Sequence, residues 1–218
     1  MEAAKPEPLD PEAATPSSSV VELPWRAFKA FTQLYDLQSG LPPLPGQRLL
    51  LLSDSRAGER LRSGLLEKQL ITQAIGTPEP YRVLRGVPAG RPAIEGVPDA
   101  PLVRPMNRSP QGKAWNYTEG HCAYCGIMLI WFERYMAPTL AHVREDLPPL
   151  LSCKSCHATR NGRSLEEMRH LLQMRYFDYQ QGVRFSRKQI AWLEKQGFEL
   201  ELPQVSFFFE RIASAPAK

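Results

Sequence analysis

All four cysteines of this 218-residue chain lie in two CxxC pairs, Cys122/Cys125 and Cys153/Cys156. Two such pairs supply the four thiolate ligands of a closed tetrahedral zinc site. A redox-active pair and buried free thiols are the alternatives. Because no cysteine is left over, the pattern favours zinc. It also requires two segments that are about 30 residues apart to meet in the fold.

Hydropathy and charge restrict the class of protein. The longest apolar runs fall far short of the roughly 18 residues that a membrane-spanning helix needs, so we expect no membrane partner. The N-terminus lacks the basic start and apolar stretch of a signal peptide, which predicts a cytoplasmic protein with reduced thiols. Residues 1–24 hold one lysine and five acidic residues, so the rest of the chain carries about +8 against a total of +4. That balance is compatible with a polyanionic partner.

The N-terminal half of the chain divides into a tail and a loop-rich region. Residues 1–23 are acidic and rich in proline and alanine, and we predict a disordered tail. Residues 24–114 are predicted to be helical and loop-rich, with helices over residues 24–38 and 59–76. Within them, residues 78–113 are punctuated by proline and glycine and carry five arginines and a lysine. This stretch is either a solvated connector or an arm that contacts DNA.

The C-terminal half has more regular hydrophobic patterns. Strands are predicted for residues 127–135 and 137–146, and a helix for residues 164–177. That helix has Ser164 as its N-cap and glutamates in its first turn. Residues 179–218 are predicted to add a helix and a strand as a C-terminal extension. The whole pattern predicts an α+β fold.

The order of these features resembles the HNH nuclease family in its zinc-stapled form. CxxC is followed by a strand pair with a histidine near its end, then by CxxCH and a helix, over about residues 120–176. The resemblance implies a ββα-metal (HNH) core over residues 115–178, stapled by a structural zinc on the four cysteines. It also implies a metal-dependent endonuclease that acts on DNA, of restriction, defence or mobile-element type. RNA remains open as a substrate, and cutting both strands would favour a homodimer or a larger nucleoprotein complex.

The resemblance assigns chemical roles to two histidines. His142 corresponds to the general base that activates water, and His157 to a ligand of a catalytic ion, Mg²⁺ or Mn²⁺. An imidazole can remove a proton from water near neutral pH, and a cation offsets the charge that builds on the scissile phosphate. Asn161 lies four residues after His157 and is either a second ligand or a polar cap. Three basic residues are predicted to contact nucleic-acid phosphates and complete the candidate site: Lys154, Arg160 and Arg163.

Two departures from the family pattern leave a second interpretation open. Ala141 stands where the family usually has an aspartate or another polar residue, and no asparagine lies between His142 and Cys153. Glu145 or Asp146 is the candidate for the missing carboxylate. The alternative to an enzyme is a catalytically silent, zinc-stapled module that binds nucleic acid within a larger complex.

Overall fold

Five α-helices and three small sheets make up the described part of the chain in a computed structural model, which covers residues 19–41, 43, 47–75, 80–143 and 148–180. The helices are α1 (Trp25–Gln38), α2 (Arg56–Glu67), α3 (Pro110–Thr118), α4 (Lys154–Arg160) and α5 (Leu165–Gln180). The strands are β1 (Val20–Leu23), β2 (Ile71–Gln73), β3 (Tyr81–Val83), β4 (Val87–Pro88), β5 (Leu102–Pro105), β6 (Pro138–Ala141) and β7 (Leu150–Cys153). The α+β class is therefore confirmed. No helix in the described ranges has the length and apolar character needed to cross a membrane.

Several predictions concern residues outside this part of the chain. They are the tail over residues 1–18, the candidate carboxylates Glu145 and Asp146, and the C-terminal extension from residue 181 onward. Residues 20–23, which were predicted to belong to the tail, instead form β1. Its last residue, Leu23, is buried, and the strand pairs in parallel with β5, so this segment has both apolar surface and backbone partners.

The helix α1 lies at the centre of the fold because its apolar side chains face neighbours on several sides. Phe28, Phe31, Leu34 and Tyr35 are all buried. The helix packs against α2, against a 3₁₀ turn at Leu50–Leu52 and against strands of two sheets. Its predicted extent, residues 24–38, is confirmed to within one residue.

The strands form three short sheets, two of which pack against α1. The strands β1, β5 and β4 form a parallel sheet in that order, and β2 pairs with β3 in an antiparallel hairpin. The antiparallel pair of β6 and β7 places Pro138 opposite Cys153 and Ala141 opposite Leu150. This last hairpin, followed directly by α4, is the part of the fold that carries the candidate site.

The arginine-bearing stretch of residues 78–113 contains regular secondary structure and is not simply a solvated connector. Its described residues form β3, β4, β5 and the start of α3. Arg91 is buried, Arg85 donates a hydrogen bond to the backbone oxygen of Gln69 at 3.2 Å, and Arg104 donates to Glu22 at 2.8 Å. These three side chains therefore have partners within the protein, whereas Arg82, Arg108 and Lys113 are exposed, and contact of this stretch with DNA stays a prediction.

Arg91 and Asp36 form a buried ion pair that joins three segments of the chain. The guanidinium donates to both carboxylate oxygens of Asp36, at 2.6 and 3.0 Å, and to the backbone oxygen of Leu129 at 2.7 Å. Burial raises the pKa of Asp36, and the charge of Arg91 opposes that rise. Since a buried carboxylate requires a partner, this pair holds α1 against the loop after β4 and against residue 129.

Two further secondary-structure predictions were wrong, the first in its bounds and the second in its type. The predicted helix 59–76 is shorter and earlier: α2 ends at Glu67, Gln69 adopts a left-handed backbone with φ of 54°, and residues 71–73 form β2. The predicted strand 127–135 is irregular, with only an isolated bridge between His121 and Met128. The actual partner of β6 is β7, a strand that the sequence analysis did not identify.

Three tryptophans form a cluster that crosses the predicted domain boundary at residue 115. The rings of Trp115 and Trp131 are parallel with centroids 5.7 Å apart, and Trp25 of α1 lies 5.5 Å from Trp131. The boundary itself falls within α3. The aromatic core is therefore shared between the N-terminal region and the segment that carries the cysteines.

We expect the ion pair of Arg91 to be a major contributor to stability. Arg91→Met would leave the Asp36 carboxylate buried without its cation, and we expect a loss of about 3–5 kcal/mol in the free energy of unfolding. Arg104→Met is the matched control, because Arg104 and Glu22 are 44% and 42% exposed, and it should cost less than about 1 kcal/mol. Urea unfolding of the zinc-loaded variants measures both; equal costs would contradict this account of the core.

Candidate functional site

The four cysteine thiols meet in one buried cluster. Their sulfur atoms all lie within 4.8 Å of one another, and the sulfurs of Cys125 and Cys153 are 3.9 Å apart. Tetrahedral zinc with bonds of about 2.3 Å spaces its sulfur ligands by about 3.8 Å. All four cysteines are free rather than disulfide-bonded. The cluster therefore has the composition and spacing to hold a metal ion such as zinc.

The first pair, Cys122 and Cys125, lies on a tight turn that is fastened to the hairpin. The backbone N–H of Gly126 donates to the oxygen of Cys122 at 2.9 Å, and Gly126 has a φ of 72°, which favours glycine. The N–H of Ala123 donates to the backbone oxygen of Leu151 in β7 at 2.8 Å. This bond places the first pair beside the strand that leads to the second pair.

The second pair lies at the junction of β7 and α4. Cys153 is the N-cap of α4, and its sulfur accepts a hydrogen bond from the N–H of Cys156 at 3.3 Å. The N–H of Cys153 in turn donates to the sulfur of Cys122 at 3.2 Å. Hydrogen bonds from the other thiols lower the pKa of Cys153, while burial raises the pKa of Cys122. Because a bound cation favours the thiolate form of every ligand, the chemistry of the cluster fits a divalent metal.

An open cleft of about 500 Å³ lies beside the cluster, and it contains both predicted catalytic histidines. Its lining residues are Tyr124, Ala141, His142, His157, Ala158, Arg160, Asn161 and Gly162. His142 directly follows the last residue of β6, His157 lies on α4, and both side chains are exposed to solvent. The hairpin and the helix therefore bring together residues that are 15 positions apart in the sequence.

The helix α4 separates the cluster from the cleft. Cys156 is buried and contributes to the thiol cluster, whereas the next residue, His157, is turned toward the cleft. Successive residues of a helix point about 100° apart, so one turn of α4 serves both sites. Asn161 is the C-cap residue of this helix and also lines the cleft. Both roles that the sequence left open for Asn161 thus remain compatible with its position.

The sequence analysis missed Tyr124, which lies between the first two cysteines. Its side chain is buried and forms part of the cleft wall. Burial raises the pKa of Tyr124 to about 12, and the charge of the neighbouring Arg160 opposes that rise. The signal available in the sequence was a large aromatic residue between the two cysteines of a CxxC pair. Metal binding by the cysteines does not require an aromatic residue there, so its presence indicates another role.

The three basic residues predicted to contact phosphate do not share one environment. Arg160 lines the cleft, and its Nε atom is buried with no hydrogen-bond acceptor among the described residues. Lys154 and Arg163 are exposed and do not belong to the cleft lining. Arg163 donates to the backbone oxygen of Thr159 at 2.5 Å, which holds it against the end of α4.

The described lining of the cleft does not make a magnesium site. Among the residues that the structure describes, the cleft contains no carboxylate, and the four-cysteine cluster is the only group of three or more metal-binding residues. Mg²⁺ takes oxygen ligands, whereas first-row transition ions also accept imidazole nitrogen. The donors of His157 and Asn161 therefore suit Mn²⁺ better than Mg²⁺.

Comparison of the chain with protein-family models, with curated proteins and with solved structures found no match.

We expect freshly purified protein to contain one zinc per chain. Cys153→Ser removes one ligand, so it should release the metal and unfold the segment from residue 120 to the start of α5, because the metal contributes folding free energy. Lys154→Ala changes the exposed neighbour and should keep both zinc and fold. Metal analysis with amide hydrogen exchange measures these outcomes. Metal-free protein with a fully protected segment would contradict a structural zinc.

Proposed function

We propose that this protein is a metal-dependent endonuclease of the HNH type that hydrolyses phosphodiester bonds in DNA. One observation carries the proposal: His142 and His157, from two different elements, line one solvent-open cleft beside the four-cysteine cluster. The elements around them are two antiparallel strands followed by a short helix. This is the order of elements in a ββα unit.

The proposed zinc has a structural role. Four thiolates fill a tetrahedral shell and leave no open position for water or substrate. All four ligands are buried, while both histidines are exposed. The chemistry is therefore assigned to the cleft, and the metal cluster holds its walls in place.

His142 is assigned as the general base. Its exposed position after β6 lets a water molecule reach the imidazole, which takes the proton while the water oxygen attacks phosphorus. The bond from phosphorus to the leaving nucleotide oxygen then breaks, and that oxygen takes a proton from solvent. The guanidinium of Arg160 in the same cleft offsets negative charge on the phosphate oxygens.

A divalent ion held by His157 and Asn161 would supply additional positive charge at the scissile phosphate. The nitrogen donor of His157 leads us to expect higher activity with Mn²⁺ than with Mg²⁺. Outside the cleft, Lys154 and Arg163 are exposed on and after the same helix, where phosphates flanking the scissile one would lie.

A silent nucleic-acid-binding module is the second candidate, and one observation favours it. Ala141 is buried at the position where the family usually has a polar residue, and the described cleft lining has no carboxylate. Such a module would keep the zinc cluster and the basic residues but would not cleave. The two candidates therefore differ in catalysis and agree in binding.

The central test of the enzyme is the His142→Ala variant. Loss of the base should reduce the rate of plasmid cleavage by about 10²–10⁴-fold, whereas DNA affinity and zinc content should stay unchanged. His170→Ala is the control, because His170 is exposed on α5 and does not line the cleft. The assay uses Mn²⁺, Mg²⁺ or EDTA, with zinc content measured after each treatment. If the wild-type protein keeps its zinc and cleaves no DNA under any of these conditions, the enzyme is rejected and the silent nucleic-acid-binding module is favoured.

We expect binding to DNA to be strongly salt-dependent. The double variant Arg160→Ala/Arg163→Ala should reduce the slope of log affinity against log salt by roughly one to two units, since each lost phosphate contact accounts for nearly one. Arg60→Ala, on the exposed face of α2, should leave the slope unchanged. Fluorescence anisotropy with a labelled duplex measures the slope, and an unchanged slope in the double variant would place the binding surface elsewhere.

A further inference from the structure

The loop that precedes β6 presents an exposed aromatic ring. Phe132 and Met136 anchor this loop because both are buried. The backbone N–H of Ile130 donates to the oxygen of Met136 at 3.3 Å, which closes the loop on itself. Between the two anchors, Arg134 is exposed and Tyr135 is 47% exposed. Tyrosine is enriched at binding surfaces, and here its backbone is already fixed before any partner arrives.

Two hydrogen bonds fasten the same loop to the first turn of α4. The N–H of Ser155 donates to the backbone oxygen of Tyr135 at 3.2 Å, and the N–H of Lys154 donates to the oxygen of Ala137 at 3.1 Å. The helix α4 also carries His157, which lines the cleft. Tyr135 and the exposed Lys154 therefore lie at the start of the helix whose later residues form the cleft.

The charges around the ring are suited to a polyanion. The guanidinium carbon of Arg134 lies over the Tyr135 ring, 5.9 Å from its centroid, and Lys154 is a second exposed cation. Glu133 is the one carboxylate among residues 130–136, and its Oε1 atom accepts from the backbone N–H of Tyr135 at 3.4 Å. That carboxylate is therefore turned toward its own loop. An exposed ring with cations on the same surface binds single-stranded nucleic acid, since a base stacks on the ring and phosphates meet the cations.

We propose that Tyr135 is a stacking platform for an unpaired base of DNA, with Arg134 and Lys154 on the flanking phosphates. This inference deepens the proposed function and rests on it for the nucleic-acid partner, and it names the substrate class as DNA with unpaired nucleotides. The faces of a paired base are covered by its neighbours in the duplex, so a ring on a loop can stack only on an unpaired or terminal base. A duplex would still meet the cations but would gain nothing from the ring.

The test compares two DNA probes on the zinc-loaded full chain, without Mg²⁺ or Mn²⁺. One probe is a short labelled single strand, and the other is a blunt-ended duplex of the same length. Tyr135→Ala should reduce the affinity for the single strand by about 5-fold to 100-fold and should barely change the affinity for the duplex. Tyr135→Phe keeps the ring and should bind the single strand like the wild type. Fluorescence anisotropy measures all four affinities.

Controls separate stacking from a structural effect. Tyr117→Ala is the matched variant, because Tyr117 is 43% exposed but lies on α3, and it should bind both probes like the wild type. Zinc content and the urea midpoint should be unchanged in Tyr135→Ala. Arg134→Ala keeps the ring and tests the cation independently. It should reduce the salt slope for the single strand by roughly 0.7, the value of one phosphate contact.

Four results would overturn the inference: wild-type affinity for the single strand in Tyr135→Ala, an equal loss on both probes, a loss in Tyr135→Phe as large as that in Tyr135→Ala, or an unchanged salt slope in Arg134→Ala. Binding is measured without a catalytic ion, so absence of cleavage would reject the proposed enzyme and leave this inference standing. Conversely, cleavage by the wild type together with wild-type affinity in Tyr135→Ala would reject the inference and leave the enzyme.

Discussion

Four buried thiols that must meet at one point are the constraint on which the candidate site depends. The elements around them are too short to be stable alone: α4 has seven residues, and β6 and β7 have four each. A metal ion bound by the four thiols would supply the missing folding free energy and would fix the hairpin, the turn before it and the helix in one arrangement. His142 directly follows β6 and His157 lies on α4. The geometry of the cleft is therefore a consequence of the cluster.

The N-terminal region supports this site rather than standing beside it. The edge-to-face contact of Trp25 with Trp131 connects α1 to the segment between the cysteine pairs. The ion pair of Arg91 with Asp36 does the same, because Arg91 also donates to the backbone oxygen of Leu129. Both contacts join residues that are far apart in the sequence. A truncated chain that begins near residue 115 would therefore expose aromatic surface and lose the support of α1.

The sequence was sufficient for the parts of the fold that depend on local spacing. Two CxxC pairs predicted the cluster, and apolar periodicity predicted α1. Burial that depends on distant partners could not be predicted: Arg91 resembled an exposed arginine because Asp36 lies 55 residues away. The apolar run 127–135 has the composition of a strand, but tertiary contacts of Leu129 and Trp131 give it an irregular path. Tyr124 was missed because its place in the cleft wall depends on the meeting of the two cysteine pairs.

We propose that nucleic acid binds this protein in the cleft beside the four-cysteine cluster. Side-chain NMR of the four histidines, titrated with a short DNA duplex in zinc-loaded protein without a catalytic ion, tests it most directly. We expect saturable shifts of the His142 and His157 imidazole signals, little change at His170, and loss of these shifts once the zinc has been removed. Saturable DNA binding that leaves the signals of His142 and His157 unchanged would contradict it.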